Sequence, residues 1–144
     1  MILPKLRETA TRFNVTPYLT VVSSEVHGYT SFPEKSSANI FQTLNDEKTA
    51  NMSDRYQVSK LLEVFYCREL AKQIKDSNKP LVVVNFLNPG LCQSELSRES
   101  GWVLTIMKFL FARTTEVGSR TLLHATTAGE ASHGQYLSCC QIAQ

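Results

Sequence analysis

Glycine is scarce and late in this chain. The six glycines among 144 residues are Gly28, Gly90, Gly101, Gly118, Gly129 and Gly134. None precedes residue 28, and no three are close enough to form a glycine-rich turn, the device that lets backbone amides approach a phosphate. Cysteine is nearly as sparse: Cys67, Cys92, Cys139 and Cys140 contain no C-x-x-C pair, and His27, His124 and His133 are scattered. A zinc site or a disulfide framework is therefore not expected, and reduced thiols in a cytoplasmic setting are the default. Cys139 and Cys140 are expected to point to opposite faces of a strand. Charge of one sign is also lacking. The net charge is +2 with no basic run, so nucleic acid is excluded as the main partner. Long hydrophobic runs are missing too. "GWVLTIMKFLFA" (101–112) is too short to span a bilayer and contains Lys108. "MILPKLRETA" turns charged within a few residues and has no apolar core segment of a signal peptide.

What is present suits one modest domain. Hydrophobic residues make up 42% and charged residues 19%, ordinary values for a chain that buries a core. "PKLRETATRF" (4–13) reads as a helix end and "PYLTVVSS" (17–24) as a short buried strand. A polar loop, 27–53, holds a short helix near 40–44. Ser53 and Asp54 are cap candidates for the strongest helix, which runs to about Asp76 with Val58, Leu61, Leu62, Phe65, Tyr66, Leu70 and Ile74 mostly three or four apart. "PLVVVNFLNPG" (80–90) is nearly continuously apolar, as a parallel strand buried on both faces should be. A helix over 114–128, capped by Thr114 or Thr115, and a last strand over 134–140 follow. The alternation implies an α/β fold: three parallel strands joined by right-handed helical crossovers.

Within the long helix, Tyr56 and Lys60 are four residues apart, so they project to one side, one turn from each other. An ammonium beside a phenol favours the phenolate. That answers a chemical need, since free tyrosine titrates near about 10, too high for efficient proton transfer at neutral pH. Alone, Y-x-x-x-K occurs by chance on many helices. Here a strand ending in Ser23-Ser24 precedes it and a strand ending in Asn88-Pro89-Gly90 follows it. Parallel strands present their carboxyl ends at one edge, where open α/β sheets bind ligands. A Ser-His-acid hydrolase is not supported, because Ser23-Ser24 lacks the G-x-S-x-G turn.

These stretches, "LTVVSS", "YQVSK" and "VVVNFLNPGLCQSEL", resemble the short-chain dehydrogenases/reductases. The last of them and the long spacer between Ser24 and Tyr56 are similar to the retinol-dehydrogenase-like branch and its relatives in filamentous fungi. "GSRTLLHATTA" and "GQYLS" resemble the family's final helix and strand. The resemblance implies a Rossmann-like, doubly wound sheet and an NAD- or NADP-dependent carbonyl/alcohol oxidoreductase. It implies that Tyr56 exchanges the proton with substrate oxygen. Lys60 would favour its phenolate and hydrogen-bond the nicotinamide ribose, and Ser24, rather than Ser23, would hold the substrate oxygen. Pro89, Gly90 and Leu91 would lie along the nicotinamide half of the cofactor, with Ser94 reaching its amide or phosphate. Trp102, Leu104, Ile106, Met107, Phe109 and Phe111 would close as a lid over a small lipophilic carbonyl or alcohol, and secondary metabolism is the setting the fungal members suggest.

Two family features have no counterpart. The glycine-rich cofactor turn is missing, and so is the asparagine on the helix before the serine strand, since Asn14 lies too close to that strand. The resemblance is therefore to the carboxyl-terminal half: a single partial domain over 1–144. It would comprise serine strand, Y-x-x-x-K helix and P-G strand (1–100), lid (101–113), and last helix and strand (114–144). The amino-terminal nucleotide-binding half would be absent. A truncated chain of that kind is expected to be inactive alone. The alternative is a non-catalytic half-domain that forms homo- or hetero-oligomers, notably with a full-length relative, through the Tyr56–Asp76 helix.

Overall fold

The computed structural model describes residues 2–93 and 112–143. Helix α1 (Leu3–Phe13) has Pro4 in its first turn, where no amide partner is lost. It lays Leu3, Leu6 and Ala10 against the core and ends on Asn14 in the left-handed conformation. Strand β1 (Tyr18–Val22) follows, then two 3-10 turns, Glu25–Tyr29 and Pro33–Ser36, and the short α2 (Ile40–Asn45). Helix α3 (Arg55–Lys75) is the longest described element. Strand β2 (Val83–Asn88), α4 (Thr115–Ala125), a 3-10 turn at Glu130–Ser132, β3 (Tyr136–Ser138) and β4 (Gln141–Ala143) complete the order.

The described sheet has four strands in the order β1-β2-β3-β4. β1 pairs parallel with β2 from Tyr18↔Val83 to Val22↔Leu87, and β2 pairs parallel with β3 from Phe86↔Tyr136 to Asn88↔Ser138. This is the expected α/β architecture, with one correction: β4 returns antiparallel to β3. The residues expected to extend the last strand, Cys139 and Cys140, instead make a two-residue hairpin turn, with φ of 49° and 62°. Both central residues of the favoured hairpin turn need positive φ, which Asn-Gly normally supplies. Two cysteines carry no such signal.

β2 is the centre of the packing. Residues 82–88 are all buried, as helices on both faces demand. Val82, Val84 and Phe86 face α3, meeting Val64, Cys67, Ala71 and Ile74 along one helical stripe. Leu87, on the alternate face, meets Ala125 of α4 and Leu137 of β3. Each large side chain buried here contributes about 1.5–3 kcal/mol. A separate cluster of Phe32, Leu44 and Val58 fixes the 27–53 segment on the first turns of α3.

The caps follow the sequence only in part. Thr114 caps α4 by accepting from Val117 N at 3.3 Å. Asp54 occupies the cap position of α3, where its carbonyl accepts from Val58 N at 3.0 Å but its side chain bonds none of the helix's amides. Its Oδ2 accepts instead from Thr30 Oγ1 at 2.5 Å, tying the loop to the helix start.

One glycine is required by close approach. Gly118 in α4 is buried beneath the turn after β2, and a Cβ there would collide with Cys92 Sγ. Gly118→Ala should therefore cost about 1–2 kcal/mol despite alanine's better helix propensity. Urea denaturation checks this, and Cys92→Ala in the same chain should restore most of the loss by opening the contact.

Candidate active site

Parallel pairing sets the carboxyl ends of β1 and β2 side by side. Ser23 N donates to Leu87 O at 2.8 Å, one residue beyond the last paired residues of the ladder. Ser24 leaves that edge on one strand, and Asn88-Pro89-Gly90 leaves it on the next.

Ser24 begins the turn Glu25–Tyr29. Its Oγ accepts from Val26 N at 3.5 Å, and its carbonyl accepts from His27 N at 3.2 Å and from His27 Nδ1 at 2.7 Å. Ser24 is half-buried. Ser23 is only 3% exposed, and its Oγ has no partner among the described residues. Of the two hydroxyls, Ser24 is the more accessible.

The turn carrying Ser24 packs against α3. Lys60 makes the direct link between helix and strand end. Its Nζ donates to Val22 O at 3.1 Å, two residues before Ser24, and to both carboxylate oxygens of Glu63 at 3.0 Å. The same ammonium lies 5.9 Å from the centre of the Tyr56 ring. Tyr56 and Lys60 thus share the face that their spacing required. Tyr56 is 44% exposed, and among the described residues its hydroxyl makes no hydrogen bond.

The P-G turn is held from both sides. Asn88 Oδ1 accepts from Gly90 N at 3.1 Å. Gly90 has φ of 81°, and a Cβ there would stand 3.5 Å from Arg113 Nη1. Leu91 and Arg113 are joined by Arg113 N donating to Leu91 O at 2.8 Å, and Gln93 N donates to Arg113 O at 3.0 Å. Among sequence-derived positions, Ser94 and the lid residues Trp102, Leu104, Ile106, Met107, Phe109 and Phe111 lie outside the described residues.

Two groups at this edge were not singled out from the sequence. Glu63 is three residues after Lys60 on the same helix, a spacing that suits an ion pair. Arg113 had no local signal, because only folding brings it across from Gly90. The arrangement sets the Lys60 ammonium against the end of β1, two residues before Ser24, with the Tyr56 ring one helical turn away and the Gly90 turn beside the Arg113 guanidinium.

No protein-family model matches the chain, and no solved structure matches it. Curated proteins do. The short chain dehydrogenase/reductase dmxR8 of a Cryptosporiopsis species is 49% identical over 147 residues, covering 99% of this chain and 45% of that protein. The short-chain dehydrogenase anuD of Penicillium roqueforti is 40% identical over 96% of this chain and 38% of its own length. The short chain dehydrogenase atnD of Emericella nidulans is 40% identical over 94% and 46%. The chain spans less than half the length of these curated relatives.

Proposed function

Because nearly the whole chain resembles one part of the short-chain dehydrogenases/reductases of fungi, we propose that it carries the proton-transfer side of an NAD(P)-dependent carbonyl/alcohol oxidoreductase. The observation that supports this most is the Lys60 Nζ to Val22 O bond at 3.1 Å. It anchors the Tyr56–Lys60 helix at the strand end that leads into Ser24. In the reductive direction, Ser24 Oγ would donate a hydrogen bond to the substrate carbonyl oxygen. The Tyr56 hydroxyl would give that oxygen its proton, and Lys60 would stabilise the phenolate left behind. A nicotinamide lying along Pro89, Gly90 and Leu91 would supply or take the hydride. The nucleotide would be NADP or NAD. On this reading the substrate would be a small lipophilic carbonyl or alcohol, the setting intracellular and the pathway one of secondary metabolism. Among the described residues no helix is long and apolar enough to cross a membrane.

These 144 residues hold no glycine-rich turn, so nothing in them cradles the pyrophosphate as that turn would. The polypeptide by itself should bind NADPH and NADH with dissociation constants above about 1 mM, which fluorescence titration of the purified chain checks. The functional test is a fusion in which this chain replaces the matched portion of dmxR8, so that the remaining portion of that protein supplies the rest. The fusion should oxidise NADPH or NADH with a lipophilic ketone. A folded fusion that binds the cofactor but turns over no carbonyl would count against the reading.

A second reading has its own support. α3 exposes Phe65 (48%) and Tyr66 (63%), adjacent residues turned away from the Tyr56–Lys60 face, an aromatic surface suited to pairing. On this reading the chain associates with an intact relative through the Tyr56–Asp76 helix. Co-elution with full-length dmxR8, lost in Phe65→Glu/Tyr66→Glu, tests it.

A further inference from the structure

The hairpin tip that replaced the expected strand end carries chemistry that packing does not explain. Cysteine is among the most buried residue types, and Cys67 behaves that way: it is fully buried, and burial, with Glu63 adding, pushes its thiol up to about 11. Cys139 and Cys140 do the opposite. Both are exposed, both are free, and both hold a left-handed backbone that costs a non-glycine residue about 1–3 kcal/mol. Arg113 reaches this tip from the far side of the Gly90 turn, and its Nη2 donates to Cys139 Sγ at 3.5 Å. The guanidinium's own pKa is raised, first by that bond and then by its electrostatic interaction with the same cysteine, with Cys92 and Cys140 acting in the same sense.

We propose that Cys139 is a modification site, an exposed thiol held beside the Arg113 guanidinium, that forms mixed disulfides with small acidic thiols such as glutathione. The cation stabilises the attacking sulfur, because the thiolate and not the thiol is the nucleophile. Arg113 is exposed, so donors of its five-N–H fork not used by Cys139 can meet a carboxylate of the incoming molecule. The reaction is an exchange. The Cys139 thiolate attacks one sulfur of oxidised glutathione and a new S–S bond forms. The old S–S bond breaks, and the other half leaves as a thiolate that takes a proton from water. Cys139 is oxidised and the departing thiol is reduced. A bridge within the pair is disfavoured, since neighbouring Cα atoms are about 3.8 Å apart, below the usual disulfide range. The oxidised state therefore takes an external thiol.

The test uses the full chain and two disulfides, oxidised glutathione and uncharged hydroxyethyl disulfide, followed by intact and peptide mass spectrometry. Cys139 should be modified first, about tenfold faster than Cys140, with glutathione favoured over the neutral reagent. Arg113→Gln should remove both preferences while Cys67 stays unreacted, its silence reporting an intact fold. In the unaltered chain, about 1 M salt should slow the glutathione reaction and spare the neutral one. Equal rates at Cys139 and Cys140, a Cys139–Cys140 bridge in place of the adduct, or a glutathione rate indifferent to salt would overturn the proposal.

Discussion

Asn85→Leu should lower the unfolding free energy by about 2–4 kcal/mol, the largest stability loss expected from a single side chain of similar size in β2. Asn85 is fully buried at the middle of that strand. Its Oδ1 accepts from Thr20 Oγ1 at 2.8 Å, and its Nδ2 donates to Ala125 O at 2.7 Å and to Ser132 Oγ at 3.0 Å. One amide thus links β1, the end of α4 and the turn before β3. Leucine fills the volume but leaves the Thr20 hydroxyl and the Ala125 carbonyl without these partners. A donor or acceptor stranded in a core costs about 1–3 kcal/mol, while the leucine recovers some apolar burial. Ser132 suffers less, because its Oγ still donates to Gly129 O at 2.7 Å. Urea denaturation followed by circular dichroism measures the loss. Thr20→Val should offset part of it in the double variant, since the two residues share a bond. A loss under about 0.5 kcal/mol for Asn85→Leu would show that the amide does not tie these elements together.

Asn85 also marks where local pattern stops being informative. "VVVNFL" reads as a buried strand because apolar residues on both faces leave few other readings. The asparagine inside it has no local meaning, since its three partners lie 40 to 65 residues away in sequence. The same divide runs through the candidate site. Tyr56 and Lys60 share a helix face by periodicity alone, and Ser24 and Gly90 reach one edge because parallel strands end together. Those relations need only element type and order. The Lys60–Val22 contact, the approach of Arg113 to Gly90 and the collision that keeps residue 118 a glycine need tertiary placement. The Cys139–Cys140 turn was hidden for another reason. A hairpin is normally advertised by glycine or asparagine, and here two cysteines accept the left-handed backbone instead.

In the fusion with dmxR8, Tyr56→Phe should reduce kcat by about 10²–10⁴-fold, the range typical of a lost general acid-base group. The physical case rests on what the substitution removes. Phenylalanine keeps the ring that faces the Lys60 ammonium and deletes only the hydroxyl. Among the described residues that hydroxyl holds no hydrogen bond, and Tyr56 is 44% exposed, so stability should change by less than about 0.5 kcal/mol. Cofactor affinity should also hold, because Lys60, Pro89 and Gly90 are untouched. Lys60→Met should behave differently. It breaks the bond to Val22 O and the pair with Glu63, so both kcat and the cofactor KM should worsen. Ser24→Ala removes a long 3.5 Å cap to Val26 N, costs at most about 1 kcal/mol of stability, and should depress kcat without moving the cofactor KM. Steady-state rates for the three variants separate these roles. A Tyr56→Phe fusion with unaltered kcat would mean that the proton travels by another route, and the phenol would then be no more than an exposed ring beside a lysine.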